Sequence, residues 1–230
     1  MPIDNPWHDL PVTPPYVLPC DMPAVAAFNS NTAKKNLLIQ TNLLPEPFFG
    51  PLDAPVVVLL LNPGVGGGEE DLHKQSPYKE ELLAALKSEK SPHFHLREHA
   101  HGPGYNWWSR VAGSLIKNEE IGQKKLSENL LCLEYFPYHS INFKHTHLRL
   151  PSQEFTFDQV RRAMAREAVI VSGRGFSIWC GAVPELANYP WICKLKSRNA
   201  AITSGNTKDD RFPLILKAIT KGQIKNLEPC

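Results

Sequence analysis

One stretch of the sequence places a polar side chain directly after a run of apolar residues. Residues 56–61 are six consecutive apolar side chains, and Asn62 follows them, before Pro63 and a glycine-rich loop at 64–68. The amide of an asparagine offers two donors and one acceptor, so Asn62 could orient a water molecule or bind the edge of a base. Asn-Pro also opens many turns, and this second interpretation of Asn62 stays open at the level of sequence.

A second candidate group is a carboxylate inside an otherwise apolar segment. Glu134 lies in residues 130–136, LLCLEYF, which end at Pro137. A polar side chain in a buried strand is unfavourable unless it faces a site or finds a partner, so Glu134 is a functional candidate. Tyr138 and His139 follow the proline, and such aromatic side chains either stack on a base or pack in the core.

Cations cluster near the C-terminal end of the chain. Residues 194–206, KLKSRNAAITSGN, combine three cations with amide and hydroxyl side chains, a composition suited to phosphate contacts. A solvated loop explains the same composition. Arg174 follows a third apolar run at 168–172, and we expect it to lie at the same sheet edge as Asn62.

Four histidines at positions 93, 95, 99 and 101 could chelate a transition metal in pairs. No cysteine lies nearby and no regular element holds their geometry, so we interpret residues 91–104 as an irregular loop that faces solvent or substrate. We expect no metal site and no cofactor. The glycine-rich loop has no Gly-Lys-Ser/Thr, and Pro63 interrupts any dinucleotide-binding pattern.

The order of the apolar runs predicts the fold class. Strands at 56–61, 130–136 and 168–172 alternate with amphipathic helices, which is typical of an α/β three-layer sandwich with a mostly parallel central sheet. Residues 54–230 form this domain. Residues 1–53 form a proline-rich N-terminal arm and a lead-in helix packed on it, with an edge strand at 36–44.

Composition sets broad limits on function. The chain has 230 residues, 42% hydrophobic and 21% charged, with a formal charge of +2 that permits nucleic-acid contact without requiring it. No apolar run approaches the length of a membrane span. The five cysteines are odd in number and far apart, which favours free thiols. We therefore expect a cytoplasmic monomer without membrane contact.

Four segments are similar to motifs of one known family: Leu60-Leu61-Asn62-Pro63-Gly64, residues 104–115 (GYNWWSRVAGSL), residues 131–137 (LCLEYFP) and residues 169–181 (VIVSGRGFSIWCG). They resemble the uracil-DNA glycosylase superfamily, particularly its mismatch-specific branch. In that family the first motif closes the first strand and the second is a Trp-containing helix. The third is the second strand leading to a proline, and the fourth is a strand–glycine–helix unit. The resemblance implies an enzyme that hydrolyses the N-glycosidic bond of a flipped base in DNA, including single-stranded DNA.

The resemblance also implies roles for individual residues. Asn62 would position the attacking water, and the backbone N–H groups of Gly64 and Val65 would bind a base carbonyl. Tyr78, or one of Phe48 and Phe49, would stack on the base. Base recognition would fall to Glu134 and Asn199, with Ile202 as the residue that wedges into DNA. Backbone phosphates would be bound by Arg174, Lys196, Arg198 and Ser204.

The sequence departs from that family at two of these positions. Glu134 replaces an amide residue, and an ionised carboxylate there would repel a uracil carbonyl, so an amino-bearing base such as cytosine or adenine is a possible substrate. The last motif lacks its proline and histidine. A non-catalytic nucleic-acid or nucleotide-binding module of the same fold is therefore the main alternative, and a hydrolase for a small nucleoside-like metabolite is a third.

Overall fold

The protein is an α/β structure built on one mostly parallel sheet. The computed structural model describes residues 3–222. Five strands in this range form a sheet in the order β1-β3-β2-β4-β5. The strands are Phe48–Phe49 (β1), Val56–Leu60 (β2), Leu130–Glu134 (β3), Val169–Ser172 (β4) and Ile192–Lys194 (β5). The predicted α/β class is confirmed, and the arrangement is compatible with a layered sandwich.

The central strand is β2, as its sequence predicts. It pairs in parallel with β3 on one side and β4 on the other, and β4 pairs in parallel with β5. Val56 to Val58 are almost completely buried, because β-branched side chains fill both faces of a central strand. The register places Leu60 beside Glu134 and Leu59 beside Ser172. The carboxyl ends of these three strands therefore meet at one edge.

Nine α-helices connect and cover the strands within the described residues. They are Met22–Ser30 (α1), Glu69–Lys74 (α2), Ser76–Leu86 (α3), Gly102–Val111 (α4), Gly113–Ile116 (α5), Gly122–Asn129 (α6), Gln153–Ala165 (α7), Phe176–Ala182 (α8) and Phe212–Lys221 (α9). Gln75 is the N-cap residue of α3, which begins at Ser76 and has Pro77 in its first turn, where a proline loses no hydrogen bond. None of these helices is long and apolar enough to cross a membrane.

The predicted edge strand at 36–44 is wrong. Residues Lys35–Leu37 form a short 3₁₀ turn, and the edge strand is β1, which pairs antiparallel with β3. The side chain of Asn29 explains the difference. Its amide donates to the carbonyl of Ile39 at 2.9 Å and accepts from the Ile39 N–H at 2.9 Å, so that residue has no free backbone group for a strand partner.

The glycine-rich loop leads into a helix that the sequence did not reveal. Gly68 precedes α2 with φ of +93°, a backbone conformation that favours glycine. Three acidic residues, Glu69, Glu70 and Asp71, fill the first turn of α2. Negative charge stabilises the N-terminal end of a helix, which accounts for this acidic run beside the loop.

The N-terminal arm belongs to the same hydrophobic core as the sheet. Trp7 and Val17 are fully buried, and the ring of Trp7 packs edge-on against Tyr138 at 6.1 Å. Tyr138 also links the arm through hydrogen bonds: its hydroxyl donates to Asp21 at 2.7 Å and accepts from the N–H of Leu18 at 3.1 Å. Tyr138, in the segment that follows β3, thus connects the N-terminal arm to the end of the sheet.

We predict that Tyr138→Phe destabilises the protein by about 1–3 kcal/mol, because it leaves Oδ2 of the buried Asp21 and the N–H of Leu18 each without a partner. The measurement is the free energy of unfolding in urea. Tyr16→Phe is the matched control, since the hydroxyl of this buried tyrosine makes no hydrogen bond within residues 3–222. Equal stability of the two variants would contradict this role of Tyr138.

Candidate functional site

A large open cleft lies at the carboxyl ends of β2, β3 and β4. Its volume is about 1180 Å³, and most of its lining comes from the segments that follow these strands and β5. The lining includes residues 61–66, 134, 140–144, 173–175 and 197–200. In parallel sheets this edge is the usual position of a ligand site, because the loops that leave the strands converge there.

Most of the site residues proposed from sequence reach this cleft. Its lining includes Asn62, Gly64, Val65, Glu134, Arg174, Arg198 and Asn199. Lys196 and Ser204 are exposed on the loop after β5 but lie outside the lining. Segments that are distant in sequence are therefore brought together by the sheet.

The aromatic residues proposed for base stacking lie elsewhere. Tyr78 is buried in the core, where its ring packs against Phe94 at 5.1 Å, because α3 turns its first apolar side chain inward. Phe48 and Phe49 are buried in β1 and do not line the cleft. Two half-buried aromatic side chains do line it, Trp107 on α4 and Phe143 in the loop after β3.

Asn62 is held in one orientation by the loop after β3. Its amide nitrogen donates to the carbonyl of Pro63 at 2.8 Å and to the hydroxyl of Ser140 at 3.0 Å. The amide oxygen accepts no hydrogen bond from any residue in the range 3–222. This oxygen can accept a hydrogen bond from a bound water, which orients the water without removing its proton.

Glu134 is the last residue of β3 and forms part of the cleft floor. Its side chain is buried, and Oε2 has no hydrogen-bond partner among the described residues. Burial raises the pKa of Glu134 well above its ordinary value, and the nearby carboxylate of Glu46 raises it further, against the opposing effect of Arg174. This shift favours the protonated form of Glu134, a carboxylic acid that can donate as well as accept, over the ionised carboxylate considered from sequence.

Glu46 is a second carboxylate in the cleft, and nothing in the sequence singled it out. It lies in the loop before β1, where its N–H donates to the carbonyl of Pro137 at 2.9 Å. Oε1 lies 3.5 Å from Nε2 of His95 and 3.8 Å from Nε2 of His139. Burial alone would raise the pKa of Glu46, but the two histidines outweigh it and lower the pKa to about 2.

The glycine-rich loop is fixed from two sides. Nδ1 of His139 donates to the carbonyl of Gly64 at 2.7 Å, and the carboxylate of Glu69 accepts from the N–H of Gly66. The N–H groups of Gly64 and Val65 donate to no residue within 3–222. These two donors are therefore preorganised at the cleft and remain available to a ligand.

Three buried groups meet behind this loop. Glu46, His73 and His139 bring ligand atoms within 4.8 Å of one another, a spacing that raises the question of a metal ion. His139 has the arrangement of a metal ligand, since its Nδ1 donates to a backbone carbonyl and its Nε2 is free. His73 does not fit: Leu44 donates its N–H to Nδ1 at 3.0 Å, so Nε2 carries the proton of the neutral ring. A protonated Nε2 has no lone pair for a metal ion, so this trio lacks its third ligand.

The histidines at 93 and 95 are not part of a solvated loop. His93 is fully buried against Trp108, with ring centroids 4.3 Å apart, and burial lowers its pKa well below the ordinary value. His95 lines the cleft, and its ring fills the space that a Cβ at Gly104 would need. His99 and His101 are exposed, as expected.

The chain was compared with protein-family models, with curated proteins and with solved structures, and none of the three comparisons found a match. The geometry of the cleft is therefore the basis for any statement about function.

Replacing Glu134 with glutamine should change how stability depends on pH. The folded protein keeps the Glu134 proton above pH 4.5, where the unfolded chain releases it, so wild-type stability falls as pH rises from that value. Glu134→Gln removes this loss. We expect the free energy of unfolding of the variant, measured in urea, to gain on that of the wild type as pH rises above 4.5, by at most about 1.4 kcal/mol per pH unit.

The control for this measurement is Glu128→Gln, which makes the same chemical change at an exposed position on α6. Its difference from the wild type should not grow with pH. A difference that is also independent of pH in Glu134→Gln would show that Glu134 is ionised in the folded protein.

Proposed function

We propose that this protein hydrolyses the N-glycosidic bond of a flipped base in DNA, as a divergent protein with a uracil-DNA glycosylase-like three-layer fold. The observation that carries the proposal is the anchored amide of Asn62 at the end of β2, in one cleft with the buried carboxyl group of Glu134, whose Oε2 has no partner among the described residues. The Asn62 amide can orient a water molecule, and the Glu134 carboxyl group can form hydrogen bonds with the edge of a base.

The reaction needs little proton transfer at the sugar. Water held by the Asn62 oxygen attacks C1′ as the C1′–N bond breaks, and the bonding electron pair leaves with the base. The proton that the water loses ends, through solvent, on the departing base anion. The N–H groups of Gly64 and Val65 stabilise the negative charge that develops on a base carbonyl. Because these donors are already fixed by His139 and Glu69, they need not reorganise during the reaction.

Cations at the rim support a nucleic-acid substrate. Arg174 and Arg198 line the cleft with exposed side chains, and Lys144 lies on the loop after β3 that borders it. With a net charge of only +2, the protein has no general attraction for DNA, so contacts with phosphates would depend on this rim.

A binding module that does not cleave its ligand is the second candidate function, and one observation favours it. Ile202, the residue proposed to wedge into DNA, is fully buried, and its N–H donates to the carbonyl of Val111 at 2.8 Å. It therefore cannot enter a base stack without unfolding its loop. A nucleotide or a single strand whose bases are already unstacked needs no such wedge.

The proposal predicts that Asn62→Ala removes glycosylase activity. The substrates are single-stranded and duplex oligonucleotides with one uracil, hypoxanthine, xanthine or mismatched normal base, and alkali-induced cleavage reports abasic sites. We expect the wild type to form abasic sites on at least one substrate, and the variant to lose roughly 100-fold or more in rate, as when one positioned polar group is removed. Asn31→Ala, an exposed asparagine outside the cleft lining, should retain full activity.

The arginines at the rim of the cleft lead us to expect that oligonucleotide binding depends on salt concentration. Arg174→Ala and Arg198→Ala should each weaken binding of a fluorescent oligonucleotide at low salt. Each should also lower the slope of log affinity against log salt concentration by about 0.9 on duplex or about 0.7 on a single strand. Arg161→Ala, an exposed arginine on α7 outside the cleft lining, should leave the slope unchanged. Binding without cleavage in the wild type would favour the non-catalytic module.

A further inference from the structure

Glu46 and Glu134 are neighbours on the floor of the cleft. The N–H of Glu134 donates to the carbonyl of Pro47 at 2.9 Å, so the residue next to Glu46 is paired with Glu134 where β1 meets β3. Both side chains line the same cleft, Glu134 from the end of β3 and Glu46 from the loop before β1. Two carboxyl groups from adjacent segments of the chain therefore line the same cleft.

The two groups have different hydrogen-bonding roles. The low pKa of Glu46 keeps its carboxylate ionised, so it can only accept, and its Oε1 lies 3.5 Å from Nε2 of His95. Glu134 is buried with Oε2 unpartnered, and its raised pKa favours the protonated form, which offers one donor and one acceptor. Together they present one donor, from Glu134, beside the acceptors of Glu46. A base binds well only if its edge places an acceptor opposite the donor and donors opposite the acceptors.

The edge of uracil opposes this pattern. It presents one N–H between two carbonyl groups, so a carbonyl would face the Glu46 carboxylate whichever way the base enters. The edge of guanine presents a carbonyl followed by two N–H donors. A carboxylate accepts two parallel donors well, and a carboxylic acid donates to a carbonyl. Adenine and cytosine, with one amino group beside a ring acceptor, match in part.

We propose that Glu46 and Glu134 form a base-reading pair that selects an amino-bearing base, with the guanine-type edge as its best match. Glu134 donates to the base carbonyl, and Glu46 accepts from the ring N–H and the exocyclic amino group. This inference rests on the proposed function in one respect, that the ligand of the cleft is a nucleobase. It requires no cleavage.

A buried carboxylate makes such a reader selective. Glu46 is mostly withdrawn from water, with 12% of its side chain exposed, so a ligand that turns a carbonyl toward it gains no compensating solvent contact. The penalty for an unmatched polar group is larger in such an environment than in water. Trp107 and Phe143 line the same cleft and supply aromatic surface against which a base can stack.

The test compares binding of guanosine and inosine, which differ only in the exocyclic amino group. The probes are their 2′-deoxy-2′-fluoro analogues, which resist glycosidic cleavage, together with the uridine analogue, titrated into the full chain by calorimetry. We expect the guanosine analogue to bind at least about tenfold tighter than the other two, the size expected for one buried polar contact. Equal binding of guanosine and inosine, or tighter binding of uridine, would overturn the proposal, as would no binding at all.

Variants assign the preference to Glu46. Glu46→Gln should reduce the guanosine-to-inosine ratio to about twofold or less, because glutamine offers only one acceptor to the two donors. Glu134→Gln keeps a neutral donor and acceptor and should retain the preference. An unchanged ratio in Glu46→Gln would contradict the assignment. If Glu46→Gln does not fold, as judged by thermal unfolding, the wild-type comparison of guanosine with inosine decides whether the base-reading proposal stands.

Asn62→Ala separates this inference from the proposed function. This variant should abolish cleavage and leave the guanosine preference intact, because Asn62 binds the attacking water rather than the base. Absence of cleavage in the wild type, together with a guanosine preference that depends on Glu46, would reject the enzyme and retain the reader. Cleavage with no such preference would retain the enzyme and reject the reader.

Discussion

The parallel pairing of β2 with β3 and β4 is the constraint on which the chemistry of this protein depends. Because the three strands run in the same direction, their last residues meet at one edge, where Asn62 and Glu134 line the same cleft. The backbone of a central strand has no freedom to move these residues apart, since both of its edges are paired. The cleft is therefore a direct consequence of the order of the strands.

A second layer of interactions gives this edge its electrostatic character. Glu46 stays ionised because His95 and His139 compensate for its burial, and its charge helps to keep Glu134 protonated. His139 also holds the carbonyl of Gly64, so one histidine couples the carboxylate to the glycine-rich loop. Two carboxyl groups whose environments drive their protonation apart are a recurrent sign of a functional site.

The sequence predicts what is local. The apolar run of β2 and the isolated Glu134 were sufficient to predict a central strand and a polar group at its neighbour's end. The sequence does not reveal Glu46, because its histidine partners come from segments about 50 and 90 residues further along the chain. The predicted edge strand at 36–44 was also wrong. There the side chain of Asn29 forms hydrogen bonds with both backbone groups of Ile39.

The opposite protonation states of Glu46 and Glu134 are the central claim, and a carbon-detected NMR titration of the glutamate side-chain carboxyls tests it most directly. One resonance, missing in Glu134→Gln, should remain that of a protonated acid through pH 7. Another, missing in Glu46→Gln, should remain ionised to the lowest pH at which the protein stays folded. Titration of both groups near the ordinary value of 4.5 would contradict the claim.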